Sequence, residues 1–272
     1  MKGPRNDGPS LDLAELLEAA ERFAVAAGTL TLKHFGALLA AEAKSDGSPV
    51  TIADREAERY LRSRIRTAFP THTILGEEFG EEAGSAPVRW ILDPIDGTRG
   101  FMRGVPLYGV LIGIEVEGEA AVGVAHFPPL GETVSAANGL GCRWMVRGAS
   151  EARPARVSEV TGLSDAAVLV TDPRVALSPS LGEGWKRLAA QVDLARGWGD
   201  AYGHLLVATG RAEIMVDPIL APWDAAPFLP ILREAGGRFT DFSGVETIHG
   251  GRGVSSNGHL HAEVLALLNP AG

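Results

Sequence analysis

A chain of 272 residues, 45% hydrophobic and 22% charged, carries enough apolar side chain to bury a sizeable core in one large or two modest domains, which excludes disorder for its bulk. A formal net charge of −9, with no dense block of Lys or Arg, argues against nucleic acid or an anionic membrane as the principal partner. The lone Cys142 excludes an internal disulfide framework, and no run approaches the roughly eighteen apolar residues of a membrane span, so a soluble, cytoplasmic protein is expected.

Residues 1–10 are polar and rich in Gly and Pro, with no apolar stretch behind Lys2 and Arg5, and read as a frayed tail. From 11 to 35, apolar residues recur at three- and four-residue steps (Leu13, Leu16, Leu17, Ala20, Phe23, Ala24, Ala27), which predicts a long amphipathic helix capped by Ser10. Residues 44–50 form a polar loop. A second helix is predicted over 54–68, exposing Arg55, Glu58, Arg59 and Arg62, with Thr51-Ile52-Ala53-Asp54 as a capping box. The apolar run Trp90-Ile91-Leu92 suits a buried strand that stops at Pro94, which cannot continue a hydrogen-bonded ladder. Segments 107–116, 120–127 and 132–137, separated by Glu117-Gly118-Glu119 and Pro128-Pro129-Leu130-Gly131, predict an antiparallel meander. Beyond a polar stretch at 147–156 the pattern changes to strands over 166–171 and 212–216 alternating with helices over 181–194 and 203–209. A helix over 225–234 stops at Gly236-Gly237; strands over 238–242 and 253–256 and a helix over 260–268 follow. The change of pattern divides the chain into subdomains over 11–150 and 151–272.

The chemistry concentrates where the first buried strand must stop. Asp93-Pro94-Ile95-Asp96-Gly97-Thr98 supplies two carboxylates, a glycine that lets backbone approach a ligand, and a hydroxyl at the start of whatever helix follows, where free N–H groups favour an anion. Asp-Pro and Asp-Gly are also ordinary turn dipeptides, so partners elsewhere must decide. Leu75-Gly76-Glu77-Glu78 upstream and Asp217 to Ala226 downstream both place acids at element edges. If Glu77, Asp93, Asp96 and Asp224 converge, each like-charge pair about 4 Å apart costs about 4 kcal/mol at an effective dielectric of about 20. Divalent cations relieve that cost, and Mg²⁺, which combines few carboxylates with water and phosphate oxygens, suits phosphate-ester hydrolysis.

In chain order, Gly76-Glu77-Glu78, Asp93-Pro94-Ile95-Asp96-Gly97-Thr98 and Trp223-Asp224-Ala225-Ala226, with Glu234-Ala235-Gly236-Gly237-Arg238 after them, resemble the signatures of the inositol monophosphatase family. The resemblance spans nearly the whole chain. It implies an α/β protein, a layered α/β/α/β/α sandwich of the inositol-monophosphatase/fructose-bisphosphatase type. It implies also that Glu77, Asp93, the Ile95 carbonyl, Asp96 and Asp224 hold two or three Mg²⁺ ions while the Gly97 and Thr98 amides hold the substrate phosphate. Asp54 and Thr98, with Glu77, match the group that prepares a metal-activated water for in-line attack, with no covalent phosphoenzyme. Asp54 keeps a plain alternative as the helix cap. Lys44 resembles the basic residue of a loop near the metals, Glu78 reads as a supporting or surface residue, and none of the seven histidines is assigned to metal.

The segment Arg196-Gly197-Trp198-Gly199-Asp200-Ala201-Tyr202-Gly203 resembles the histidinol-phosphate phosphatase branch of that family. Histidinol phosphate carries an ammonium group and a protonatable imidazole, which Asp200 and Asp217 would complement, with Arg196 beside them and Trp198 or Tyr202 lending an aromatic face. Asp200 could instead cap the helix beginning near Ala201. An inositol or broader sugar-phosphate phosphatase is the alternative, since a carboxylate at 217 also accepts ring hydroxyls; a non-catalytic binding module is a more distant one. The expected partner is a small-molecule phosphate monoester, and the resemblance implies a homodimer.

Overall fold

The computed structural model describes residues 12–37, 42–43, 49–178 and 181–269; the expected tail, Ser10 and Lys44 lie outside them. Helix α1 (Leu13–Thr31) is capped not at Ser10 but at Asp12, whose carboxylate accepts the Ala14 N–H at 2.9 Å. It stops short of 35 because Lys33 and His34 bond back only three residues, to Leu30 O and Thr31 O, which tightens the chain into turns. Two short antiparallel strands, β1 (Glu42–Ala43) and β2 (Pro49–Val50), precede α2 (Ile52–Ala68). The capping box forms as predicted: Thr51 Oγ1 accepts the Ala53 N–H, and Asp54 Oδ2 accepts the Thr51 N–H at 2.8 Å. Glu58 and Arg62, expected on the exposed face, are buried and paired at 2.8 Å. They flank the apolar row Ala53, Ala57, Leu61 and Ile65, so the turn that buries this row carries them inward as well.

An eight-stranded mixed sheet follows, built from β3 (Thr73–Gly76), β4 (Gly80–Glu82), β5 (Val88–Asp96), β6 (Gly109–Val116), β7 (Glu119–Phe127), β8 (Glu132–Ala137), β9 (Gly141–Met145) and β10 (Arg153–Pro154). Its order is β10-β9-β8-β7-β6-β5-β3-β4, antiparallel throughout except for the parallel pair β3 and β5. The central strand β5 does not end at Pro94. Its ladder with β6 breaks between Asp93 and Asp96 and resumes at Gly109, so the missing proline N–H is absorbed as a bulge. The four-residue helix α3 (Thr98–Phe101) starts directly afterwards.

The second sheet holds β11 (Ala167–Val170), β12 (Leu194–Arg196), β13 (Ile214–Asp217), β14 (Arg238–Thr240) and β15 (Gly253–Ser256) in the order β12-β11-β13-β15-β14. Between these strands run α4 (Gly182–Ala189), α5 (Ala201–Ala208), α6 (Pro222–Ala225) and α7 (Phe228–Glu234), and α8 (His261–Leu268) closes the described chain. The predicted helix over 181–194 ends early, because Asp193 and Leu194 donate to Ala166 O and Leu194 enters a parallel ladder with β11. The predicted helix over 225–234 is two helices, divided at Pro227, which has no N–H to extend the first.

These elements stack in five layers. α1 and α2 cover one face of the large sheet around Trp90, Leu92, Ile112 and Val124; α5 and α7 fill the space between the sheets around Leu205, Phe228 and Ile231; α4 and α8 cover the outer face of the small sheet around Trp185, Leu188 and Val264. The middle layer is pressed close. A Cβ on Gly123 would lie 2.0 Å from Pro227 O, and one on Gly113 would lie 2.3 Å from the Ala226 Cβ. Side-chain-free positions on two neighbouring strands therefore let the 224–227 backbone rest on the large sheet, bringing an acid from late in the sequence to the end of β5.

Candidate active site

The carboxyl end of β5 carries the first two acids inward. Asp93 is 2% exposed, and its Oδ1 accepts the Ile95 N–H at 2.9 Å across the proline bulge. Asp96 is buried, and its Oδ2 accepts the Ala201 N–H at 2.8 Å, joining the end of β5 to the first turn of α5. Asp96 thus satisfies the first orphan N–H of α5, and the Asp200 side chain makes no capping bond, so the alternative reading of Asp200 as the cap of this helix is not realised. The Asp200 carboxylate lies against Gly97 instead. Gly97 sits in the left-handed region at φ 81°, and a Cβ there would come 2.7 Å from Asp200 Oδ2.

Asp224, on α6, closes the set. Its Oδ2 accepts the Ala221 N–H at 2.8 Å, and ligand atoms of Asp93, Asp96 and Asp224 all lie within 4.8 Å of one another. Burial, then the charges of Glu77, Asp96 and Asp224, pushes the Asp93 carboxyl well above its ordinary range. Asp96 is raised likewise, by burial and then by Asp200 and Asp224. Asp224 rises to about 7, chiefly through burial, with Glu77 and Asp217 adding. Such a cluster is an oxygen-only donor set that ionises fully only when a cation offsets its repulsion, and that fits a hard divalent ion.

Glu77 follows β3, whose pairing with β5 continues as a bond from the Glu77 N–H to Leu92 O. Sequence reasoning overlooked what holds this segment. The fully buried Glu58 accepts the N–H groups of Glu78 at 2.7 Å and Phe79 at 3.3 Å, while Arg62 bonds Glu58 and Gly80 O. Truncating one member of such a buried pair typically costs about 3–5 kcal/mol, because the other charge is stranded. The row Asp54, Glu58, Arg62 at four-residue spacing, beside an apolar row of the same spacing, was the available signal.

Asp54 serves its cap and faces the site at once. One oxygen is held by Thr51, and the other receives the Thr98 hydroxyl at 3.4 Å, which also bonds Ile95 O at 3.1 Å. Burial raises the Asp54 carboxyl, against the lowering effect of the Thr51 bonds. Gly97 and Thr98 open α3 beside it.

Next to the acids lies a cavity of about 70 Å³ lined by Asp96, Thr171, Asp200, Ala201, His204, Asp217, Ile219, Leu220 and Asp224. Asp217, at the end of β13, is buried and accepts the Thr171 hydroxyl at 2.8 Å. Asp200 is raised by burial and by the charge of Asp217. Arg196 and Trp198 stay outside this lining: the Arg196 guanidinium turns back to Ala195 O, and Trp198 is 41% exposed. A larger cavity of about 540 Å³ lies on the outer face between Glu21 of α1 and Arg143 of β9, away from the carboxylates, so size alone does not choose the site.

A fold of this layering, with acids of both halves meeting at one strand end, is that of a phosphatase superfamily, and the chain belongs to the inositol monophosphatase family, whose family model matches residues 12–271. The chain is 44% identical over 262 residues to a histidinol-phosphatase of Chlorobaculum parvum, covering 96% of each, and 40% identical to a histidinol-phosphatase of Mycobacterium tuberculosis, covering 95% of this chain and 98% of that one. Among solved structures, the Thermotoga maritima IMPase superposes with a TM-score of 0.83 at 32% identity over 94% of this chain and 97% of that one.

Proposed function

We propose that this chain hydrolyses histidinol phosphate with Mg²⁺, residues 11–150 carrying the metals and phosphate and residues 151–272 contributing Asp224 and the leaving-group contacts. The observation that carries the reading is the meeting of two acid sets. Asp93, Asp96 and Asp224 stand within 4.8 Å of one another, and beside them a cavity is edged by Asp200 and Asp217, charges suited to a cationic alcohol. The relatives named histidinol-phosphatase support the same substrate.

Glu77, Asp93, the Ile95 carbonyl, Asp96 and Asp224 would hold two or three ions. When bound, Mg²⁺ polarises the phosphoryl oxygens and offsets the charge that develops in the transition state. The Gly97 and Thr98 amides are assigned to the phosphate oxygens. A proton released by the attacking water at Thr98 Oγ1 can pass to Asp54 Oδ1, 3.4 Å away, on a carboxylate that burial has made more basic. Asp200 and Asp217 present negative charge to the leaving alcohol. Among the described residues no helix is long and apolar enough to cross a membrane. A cytoplasmic location and a homodimer belong to this reading, the homodimer on the strength of the family resemblance.

Initial rates on histidinol phosphate and myo-inositol 1-phosphate, with Mg²⁺ and with excess chelator, test it. The expected result is a kcat/KM at least about tenfold higher on histidinol phosphate, the worth of one charge-assisted hydrogen bond, and no turnover in chelator. Preference for the inositol ester removes the substrate assignment, and turnover in chelator removes the metal.

A further inference from the structure

His204 lines the same cavity as Asp96 and Asp224, and no element of the proposed chemistry uses it. Its ring lies on α5, 1% exposed and stacked on Phe228 with centroids 4.7 Å apart. Nδ1 is held by the Ser255 hydroxyl at 2.7 Å. Nε2 has no hydrogen-bond partner in the protein; it lies 3.9 Å from Asp217 Oδ2, and both residues line the cavity. A buried ring nitrogen without a partner has lost its hydration with no bond in return, so its position calls for a polar group that arrives from outside.

We infer that His204 is a specificity-determining residue, whose Nε2 and Asp217 Oδ2 together bind the ammonium group of the leaving alcohol. A separation of 3.9 Å is too long for a direct bond, yet a donor nitrogen seated between the two atoms reaches both at about 2.8–2.9 Å. The other hydrogen bonds agree with this. Thr171 already donates to Asp217 Oδ2 and leaves it lone-pair capacity, and when Nδ1–H donates to Ser255 the Nε2 lone pair is left without a donor beside Asp217. A volume of about 70 Å³ admits several water-sized groups, enough for an ammonium and its first carbon. His204 is the one lining side chain among the described residues of this cavity that offers a nitrogen acceptor, and Phe228 and Phe239 fix its ring plane. The inference rests on the histidinol-phosphate reading of the site and adds to it the residue that recognises the cation.

His204→Phe keeps the aromatic stack and removes both nitrogens. Kinetics of the Mg²⁺-loaded variant on histidinol phosphate and on phenyl phosphate, which carries no cation, should show at least about tenfold greater loss in kcat/KM on the former, entering mainly through KM. Equal losses on the two esters, or none on either, would overturn the inference. Should the variant not fold, nitrogen-15 spectra of the histidine rings in the unaltered protein decide: adding L-histidinol with inorganic phosphate and Mg²⁺ is expected to move the resonance of an unprotonated Nε2, and an unmoved His204 ring refutes its role. If the unaltered protein shows no preference for histidinol phosphate, the substrate reading and this inference fall together; if it shows the preference and the variant keeps it, only the inference falls.

Discussion

Asp224→Asn is expected to make the metal-free protein more stable at pH 8 while abolishing hydrolysis. Burial moves the Asp224 carboxyl from its ordinary 3.8 to about 7. A group whose folded-state pKa is raised contributes its stability fully below the unfolded value, and that stability is lost as the pH rises through the folded value. At about 1.4 kcal/mol per pH unit, keeping Asp224 in the cluster costs the metal-free fold about 2 kcal/mol at pH 5.5 and about 4 kcal/mol at pH 8 relative to a neutral side chain. Asparagine is nearly isosteric and its carbonyl can still accept the Ala221 N–H now held at 2.8 Å, so the first turn of α6 is kept. With about 2–4 °C of melting temperature per kcal/mol for chains of this size, the variant in chelator should melt on the order of 10 °C above the unaltered protein at pH 8, with the gap roughly halved at pH 5.5. Mg²⁺ should raise the melting temperature of the unaltered protein and do much less for the variant, since only the former loses a charge penalty on binding. Thermal scans of both proteins at the two pH values, with chelator and with Mg²⁺, provide the measurement. A variant less stable than the parent at pH 8 in chelator, or a gap that does not narrow at pH 5.5, refutes the account of the acid cluster as a repelling set awaiting a cation.

Thr98→Ala and Asp54→Asn should each lower kcat by at least about a hundredfold with a smaller change in KM, because they interrupt the proton path at Thr98 Oγ1 and Asp54 Oδ1. Asp54→Asn retains an acceptor for the Thr51 N–H, so if steady-state kinetics are unchanged and only the melting temperature falls, the residue is a cap and nothing more. Gly123→Ala, on β7 and not itself one of the site acids, should cost about 1–3 kcal/mol and reduce activity, since its Cβ would meet Pro227 O at 2.0 Å and push the segment after α6 off the large sheet. Full activity and an unchanged denaturation midpoint in that variant would show that the close approach does not hold Asp224 in place.

Much of this protein is decided by local order in the chain. The capping box at Thr51 and Asp54 and the meander of β6, β7 and β8 depend on neighbours within a few residues, and both formed where the sequence placed them. The family could be read from the Asp93 to Thr98 motif and the Asp224 motif in their order, because the chemistry of a strand end demands those residue types at that spacing. Other features depended on what each segment meets in space. Residues 191–194 read as helix by pattern, yet Leu194 joined a ladder because β11 offered a parallel edge, a gain that helical periodicity cannot register. Glu58 and Arg62 read as surface by residue type, yet pairing with each other and bonding the backbone after Gly76 lets both be buried. The role of Asp200 could not be settled from its own neighbourhood, since its carboxylate makes no local cap and lies instead against Gly97, more than a hundred residues earlier, at the edge of the cavity. His204 gave no signal at all, for its meaning lies in an unpartnered nitrogen 3.9 Å from Asp217, beside a cavity that exists only once β5, β13, α5 and α6 are packed together. Local sequence thus specified the capping box, the meander and the positions of the acids, through interactions that reach a few residues. Only the tertiary structure could decide which polar atoms are satisfied and which are left for a ligand, because burial and pairing are properties of groups brought together from distant parts of the chain.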